Sequence, residues 1–164
     1  MKLYVACHSR NTARKLRDKI VREGHVCTSR WIDCDEAFER GGHSAAQKRR
    51  LAAMDEADVY AATDGLILIT SPKGKYVPGG KHVETGMALA HGVPVYVLGR
   101  QENIFHWHPR VRVFSSCRKL LAHLRERRLN SKASFTSRGG KAHEHKVTSR
   151  MTTRLSRTIN SGHR

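Results

Sequence analysis

One stretch, GGKHVETGMALAHGVPVYVLG at residues 79–99, constrains the fold of this chain more than any other. Three of its apolar residues recur at helical spacing and predict a short helix with one face towards a core: Val83, Met87 and Ala90. Gly92 suits the left-handed residue that ends a helix, and Pro94 follows it closely. The apolar, β-branched run 93–98 is typical of a buried strand in a parallel sheet. The stretch therefore predicts a helix that leads directly into a central strand.

The same stretch carries one carboxylate, Glu84, which we expect in the first turn of that helix. The amino end of a helix carries partial positive charge and favours an ionised carboxylate. Gly79 and Gly80 precede it, and glycines allow a ligand to approach backbone amides that can bind anions. Two interpretations stay open. Glu84 either complements the helix dipole or serves as an ionised carboxylate that attacks a carbon or stabilises a cation.

Strand and helix patterns alternate along residues 1–129. The predicted strands cover 2–7, 25–29, 65–70, 93–98 and 111–114, and the further helices cover 12–23, 35–40, 44–62 and 115–129. The chain opens with a strand–helix–strand unit, which implies parallel strands and a right-handed crossover. In the third helix we expect Asp55, Glu56 and Asp58 on the surface, although Asp58 can approach a pocket if the helix ends there.

Ligands of open parallel sheets bind outside the carboxyl ends of the strands. Five residues follow the first two predicted strands there: His8, Ser9, Arg10, Arg30 and Trp31. Arg10 either holds a phosphate through its guanidinium or is a solvated arginine at a helix start. Trp31 either stacks on a base or plugs the core. Thr70 and Ser71 close the third strand, and Asn103, His106 and His108 lie in a polar and aromatic loop after the fourth.

The pattern G-G-x-H-V-E-x-G-x-A-L-A-x-G-x-P-V in residues 79–95 resembles the nucleoside 2-deoxyribosyltransferase-like family, particularly its phage and bacterial nucleotide-processing branches. The string T-S-R-W at 28–31 is similar to the segment after the second strand in phage members. The resemblance implies that Glu84 is the nucleophile that attacks the anomeric carbon of a nucleoside sugar. Thr70-Ser71-Pro72 replaces the aspartate that some relatives carry after the third strand, and this resembles the nucleotide hydrolase branch more than the transferases.

Together, element order and resemblance predict a flavodoxin-like, doubly wound α/β domain with strand order 2-1-3-4-5. The predicted function is cleavage or transfer at the N-glycosidic bond of a nucleoside or nucleoside 5′-monophosphate, through a glycosyl-enzyme on Glu84. Arg10 and the amides of Gly79 and Gly80 favour the monophosphate. The other predicted substrate contacts are His8, Ser9, Arg30, Trp31, Thr70, Ser71, His82 and Asn103. The chemistry requires no metal or organic cofactor, His106-x-His108 is a poor metal signal, and the resemblance implies a homo-oligomer.

Charge and cysteine content bound the partners. The chain has a net charge of +17, of which residues 129–164 contribute +7, so we expect an anionic substrate or partner. From residue 130 no hydrophobic period emerges, and we predict a disordered basic tail over 130–164 that makes nonspecific nucleic-acid contacts or only solubilises. Four cysteines without a C-x-x-C pair indicate a reducing cytoplasm, that of the host if the protein is phage-encoded. No signal peptide or membrane span is expected.

Two alternative functions stay open. The same carboxylate chemistry at C1′ would cleave the nicotinamide–ribose bond of NAD. A nonenzymatic reading treats the fold as a scaffold for positive charge in a nucleic-acid-binding accessory protein, although the sequence contains no recognised nucleic-acid motif. Product analysis with NAD and with deoxynucleotides separates the first alternative from the predicted function. Salt-dependent DNA binding without turnover of any nucleotide would indicate the second.

Overall fold

A computed structural model describes residues 1–35, 42–72 and 79–138, with side chains of the last helix described through Ser131. The elements in chain order are β1 Lys2–Ala6, α1 Arg10–Arg22, β2 Val26–Cys27, α2 Ala45–Ala61, β3 Gly65–Ile69, α3 Gly80–Ala90, β4 Val95–Leu98, β5 Val111–Phe114 and α4 Cys117–Arg138. Two 3-10 turns lie at Arg30–Asp33 and Ile104–Trp107. The predicted helical piece 35–40 and loop 72–78 fall mostly outside the described residues, as does the tail beyond residue 138.

The five strands form one parallel sheet in the order β2-β1-β3-β4-β5, which confirms the predicted doubly wound α/β fold. The strand register sorts the core into two faces because side chains alternate along a strand. Tyr4 pairs with Leu66, which pairs with Val95, and this row faces α2 and α3. The next row contains Val5, Ile67 and Tyr96, and it faces α1 and α4.

The buried residues of the first and last helices follow the helical period: Ala13, Leu16 and Ile20 in α1, and Leu120, Leu121 and Leu124 in α4. The prediction for α3 is confirmed at Met87, which packs against the core, and wrong at its other two residues. Val83 is 58% exposed and Ala90 is exposed, whereas the buried face is formed by Lys81, Thr85, Ala88 and Leu89. Two apolar stripes overlap on this short helix. The sheet contacts the stripe that includes a lysine and a threonine, which hydrophobic periodicity alone does not select.

Side-chain caps fix where several helices begin. The Ser9 hydroxyl accepts from the Thr12 amide at the start of α1, and Ser116 does the same for Lys119 at the start of α4. Ser44 and Gln47 form a reciprocal capping box at the start of α2. Helix α4 was expected to end at Leu129 but continues to Arg138, so the beginning of the predicted disordered tail is helical.

Two glycines are required by their surroundings. A Cβ on Gly65 would lie 2.3 Å from the ring of Tyr96 on the neighbouring strand, so only glycine fits beside that tyrosine. Gly92 has a φ of 75° at the end of α3, which confirms its predicted left-handed conformation. Among the described helices, none has the length and apolar character needed to cross a membrane.

Candidate active site

Glu84 lies in the second turn of α3, because the helix begins at Gly80. The expected first-turn position is therefore wrong, and the helix amino terminus is not what sets the ionisation of this carboxyl. Its Oε1 accepts a hydrogen bond of 3.0 Å from the hydroxyl of Tyr4, which projects from the middle of β1. The aromatic ring of Tyr4 is fully buried, so the hydroxyl is held in a fixed position for the carboxylate.

Burial is the dominant influence on the two groups. It raises the pKa of Glu84 to about 7, against the hydrogen bond from Tyr4, which lowers it, and with the charge of Asp55, which raises it further. Burial also raises the pKa of Tyr4, and the charges of Glu84 and Asp55 act in the same direction. Tyr4 therefore stays protonated and donates, while Glu84 is poised to change its ionisation near neutral pH.

Asp55 and Asp58, expected on the surface, point inward from α2. Asp58 is only 4% exposed and accepts hydrogen bonds from the Arg30 amide and side chain at 2.8 and 2.7 Å. Asp55 has a buried Oδ1 without a hydrogen-bond partner among the described residues. Burial raises the pKa of Asp55 to about 6, and the charge of Asp58 raises it further, opposed by that of Arg30.

A sequence signal for these carboxylates exists. The inward stripe of α2 passes through positions 51, 54, 55, 58 and 59, which follow the helical period. Leu51, Met54 and Val59 form the apolar part of that stripe, and the two aspartates between them share it. An acid on a core-facing stripe requires a partner or a function, because burial of an unpaired charge is costly.

A polar network around Glu102 lies beside Glu84. The Glu102 carboxylate accepts from Lys81 Nζ at 2.6 Å and from the Ser71 amide at 2.7 Å, and Lys81 Nζ also donates to the Ser71 hydroxyl at 2.9 Å. The side chains of Lys81 and Glu102 are 4% and 9% exposed. Burial opposes ionisation of Glu102, but the bonds from Lys81 and Ser71 hold its pKa below its ordinary value. This is a buried ion pair.

Several predicted contact residues extend that network. His8 Nδ1 lies 3.3 Å from the Ser71 hydroxyl, and His82 Nδ1 lies 3.2 Å from the Asn103 amide nitrogen. His106 is buried, and its Nδ1 accepts from the Glu102 amide. Burial raises the pKa of the Cys7 thiol; the charge of Lys81 lowers it and that of Glu84 raises it further. Sequence reasoning missed Lys81 and Glu102, since neither belongs to a recognisable motif.

Other predicted contacts are engaged within the protein. Arg10 donates from Nε to the Ile32 carbonyl at 2.7 Å and pairs with Asp35 at 2.7 Å. Trp31 is 8% exposed, and its indole nitrogen donates to the Val5 carbonyl, so it fills the core. Ser9 caps α1, and Arg30 binds Asp58 although its side chain is 63% exposed.

Thr70, Gly79 and Gly80 complete the predicted set. The Thr70 hydroxyl donates to the Leu98 carbonyl at 3.3 Å, which ties β3 to β4 at their carboxyl ends. Gly79 and Gly80 are exposed at the start of α3, and the Gly79 carbonyl accepts from the amides of His82 and Val83. Gly79 has a φ of −72°, an ordinary value, so its backbone does not require glycine.

An apolar cavity of about 520 Å³ lies on the outer side of α3. It is bounded by His82 and Leu89 of the helix and by Ile104 and Phe105 of the loop after β4. Ile104, Phe105 and Trp107 are 79%, 65% and 64% exposed, which is unusual for large apolar side chains that are so close together.

Comparison of the chain with protein-family models, with curated proteins and with solved structures found no match. The arrangement of Glu84, Tyr4 and Asp55 must therefore be interpreted from its own chemistry.

Proposed function

We propose that this chain cleaves, or transfers across, the N-glycosidic bond of a nucleoside or nucleoside 5′-monophosphate, with Glu84 as the nucleophile. The observation that carries the proposal is the hydrogen bond from buried Tyr4 to Glu84, next to a second desolvated carboxyl, Asp55. Two neighbouring desolvated carboxyl groups can supply the acid and the nucleophile that glycosidic chemistry uses.

In the first step a Glu84 oxygen forms a bond to C1′ as the bond between C1′ and the base nitrogen breaks. The base leaves with the electron pair and takes a proton from Asp55. This step requires an ionised Glu84 and a protonated Asp55; because their pKa values are about 7 and about 6, the pair has this arrangement in a minority of molecules near neutral pH. Tyr4 holds the attacking carboxylate and fixes which oxygen faces the sugar. In the second step water attacks C1′ and gives its proton to Asp55, which frees Glu84. A second base in place of water gives transfer.

A substrate panel tests this proposal. The full chain is incubated with deoxynucleoside monophosphates, the matching nucleosides and NAD, and chromatography measures the free base or nicotinamide released. We expect base release from at least one nucleoside or monophosphate, abolished in Glu84→Gln and unchanged in Glu56→Gln, which alters an exposed carboxylate of α2. Nicotinamide release from NAD alone would replace the proposed substrate class. Equal base release by the parent and Glu84→Gln chains would exclude the nucleophile.

Intact-protein mass spectrometry tests the covalent step directly. Rapid acid quenching during turnover should trap a glycosyl adduct on a peptide that contains Glu84, and Glu84→Gln should carry none. Release of base by a chain that forms no adduct under any quench time would favour direct attack of water over the two-step route.

We also propose that a second copy of this chain covers the apolar surface formed by Val83, Ile104, Phe105 and Trp107. This surface borders His82 and Asn103, so the second copy would close one side of the proposed site. Sedimentation velocity should find a dimer or larger assembly that Phe105→Ser dissociates. Leu129→Ser, a change at an equally exposed residue of α4, should leave the assembly intact. A monomeric parent chain would contradict this assignment.

A further inference from the structure

A second cavity, of about 510 Å³, lies at the amino end of the sheet, on the face covered by α4. Its walls come from the starts of β4 and β5 and from the middle of α4. Three arginines line it, Arg110, Arg112 and Arg127, together with His123 and one acid, Glu126. A concave site of this size matches those that bind metabolites.

The positive charge of this cavity is largely uncompensated. Neither Arg110 nor Arg112 forms an ion pair with another residue in the described part of the chain, and both are exposed. Arg127 is held in place, since it donates to the Asp64 carbonyl and to the hydroxyl of Tyr96. The guanidinium groups thus combine one fixed donor with two that are available to a ligand.

His123 lines the cavity and lies close enough to Arg112 and Arg127 for their charges to act on it. Its Nε2 is buried and has no hydrogen-bond partner among the described residues. Burial lowers its pKa, and the charges of Arg112 and Arg127 lower it further, against that of Glu126. Burial disfavours a charge of either sign at this position, but the charges of Arg112 and Arg127 favour a negative group beside His123.

We propose that this cavity is a binding site for a small phosphorylated ligand, held by Arg110, Arg112 and Arg127 with His123 at its side. Guanidinium forks match phosphate oxygens in pairs, and three converging on one concavity suit a group with more than one negative charge. The basic segment after residue 138 is a poor occupant, because it adds positive charge to a positive site. The concave shape suits a compact metabolite better than the extended backbone of a nucleic acid. Arg110 also borders the apolar cavity beside α3, so the two cavities adjoin at this residue. The arginine site does not rest on the activity proposed for Glu84.

Amide-resolved NMR titration of the full-length protein tests the proposal, since each signal reports where a ligand binds. The probes are pyrophosphate, AMP and adenosine. Pyrophosphate and AMP should shift the amide signals of Arg112, His123 and Arg127, and adenosine should not. Tighter binding of AMP than of pyrophosphate would assign a nucleotide, and the reverse would assign the phosphate group itself as the recognised element.

Matched variants separate a built site from general surface charge. Arg112→Glu should weaken the dissociation constant read from these signals at least tenfold, since a charge-assisted hydrogen bond contributes about ten- to a hundredfold in affinity. Arg112→Gln should weaken it less, and Arg49→Glu, an exposed arginine of α2, should change it less than twofold. Absence of shifts around the cavity, equal loss in Arg49→Glu, or binding of oligonucleotides but neither phosphate probe would overturn the proposal.

Discussion

The two regions proposed to bind ligands lie mainly on opposite faces of one sheet and carry opposite charge arrangements, although Arg110 also borders the apolar cavity beside α3. On the α2 and α3 face, Glu84 and Asp55 are desolvated carboxyls. On the α4 face, Arg110 and Arg112 are exposed arginines without ion pairs to other described residues. The strand register separates them, since Tyr4 and Tyr96 project from different rows of the same sheet.

This contrast shows that net charge does not locate a site. A charge of +17 predicts an anionic ligand, but it does not say which edge of the sheet would receive it. Near Glu84, the cations of the described chain are engaged, Lys81 with Glu102 and Arg30 with Asp58. Arg110 and Arg112, which form no ion pair with another described residue, line the cavity at the amino end of the sheet. The predictions below test whether the two regions differ as their charges indicate.

The largest expected effect comes from Asp55→Asn. If Asp55 protonates the leaving base, this change should reduce turnover about 10²- to 10⁴-fold, as for other general acids. A deoxyriboside with a nitrophenolate leaving group needs no proton and should lose far less. Glu56→Gln serves as the control for a charge change on α2. Equal losses on both substrates would mean that Asp55 supports the pocket without donating a proton.

The next effect concerns the buried pair of Lys81 and Glu102. Lys81→Met should destabilise the fold by about 3–5 kcal/mol in urea unfolding, because it leaves Glu102 buried without its cation. The double variant Lys81→Met/Glu102→Gln should recover much of that loss, since the amide oxygen can still accept from the Ser71 amide. If the double variant is as unstable as the single one, the pair stabilises through packing and not through charge.

The sequence predicted the fold of this domain more completely than its candidate site. The parallel sheet and its order follow from strands such as 65–69 and 95–98, whose apolar runs are continuous and β-branched. The candidate site was harder to predict from the sequence than the fold. Glu84 was proposed from a resemblance to a family motif, which nothing in the structure tests. Its hydrogen-bond partner Tyr4 is 80 residues away and lies in a strand whose sequence indicates only a core position.

The remaining differences share one cause. Lys81 and Asp55 are polar residues on buried helical stripes, and hydrophobic periodicity assigns such stripes only to apolar residues. Because Arg10 follows β1, it was expected to bind phosphate. Its guanidinium instead donates hydrogen bonds to the Ile32 carbonyl and the Asp35 carboxylate. Those contacts join segments that are distant in sequence, and local patterns carry no information about them.

A third prediction uses the raised pKa of Glu84. Its folded pKa of about 7 exceeds its ordinary value of 4.5, so the folded state binds more protons between these values and loses stability as pH rises through them. Glu84→Gln removes this penalty and can still accept from Tyr4. The difference in unfolding free energy between this variant and the parent should therefore favour the variant by about 2 kcal/mol more at pH 8 than it does at pH 5. Guanidinium unfolding at both pH values measures this. A variant that is less stable at pH 8 would restore the interpretation of Glu84 as a helix-dipole partner.

The smallest effect is expected for Arg10→Ala, which tests whether phosphate is read beside Glu84 as well as at the arginine cavity. The bond from Arg10 to the Ile32 carbonyl is partly buried and contributes about 1 kcal/mol, while the pair with Asp35, whose side chain is 93% exposed, adds little. We therefore expect a loss of about 1 kcal/mol in unfolding free energy and a similar change in KM for a nucleoside and its monophosphate. Arg10→Lys should not restore the Ile32 contact fully, since it lacks the planar fork. If KM instead rises tenfold or more for the monophosphate alone, Arg10 exchanges its internal contacts for a substrate phosphate. The contrast between an acidic and a basic side of the sheet would then fail at this position.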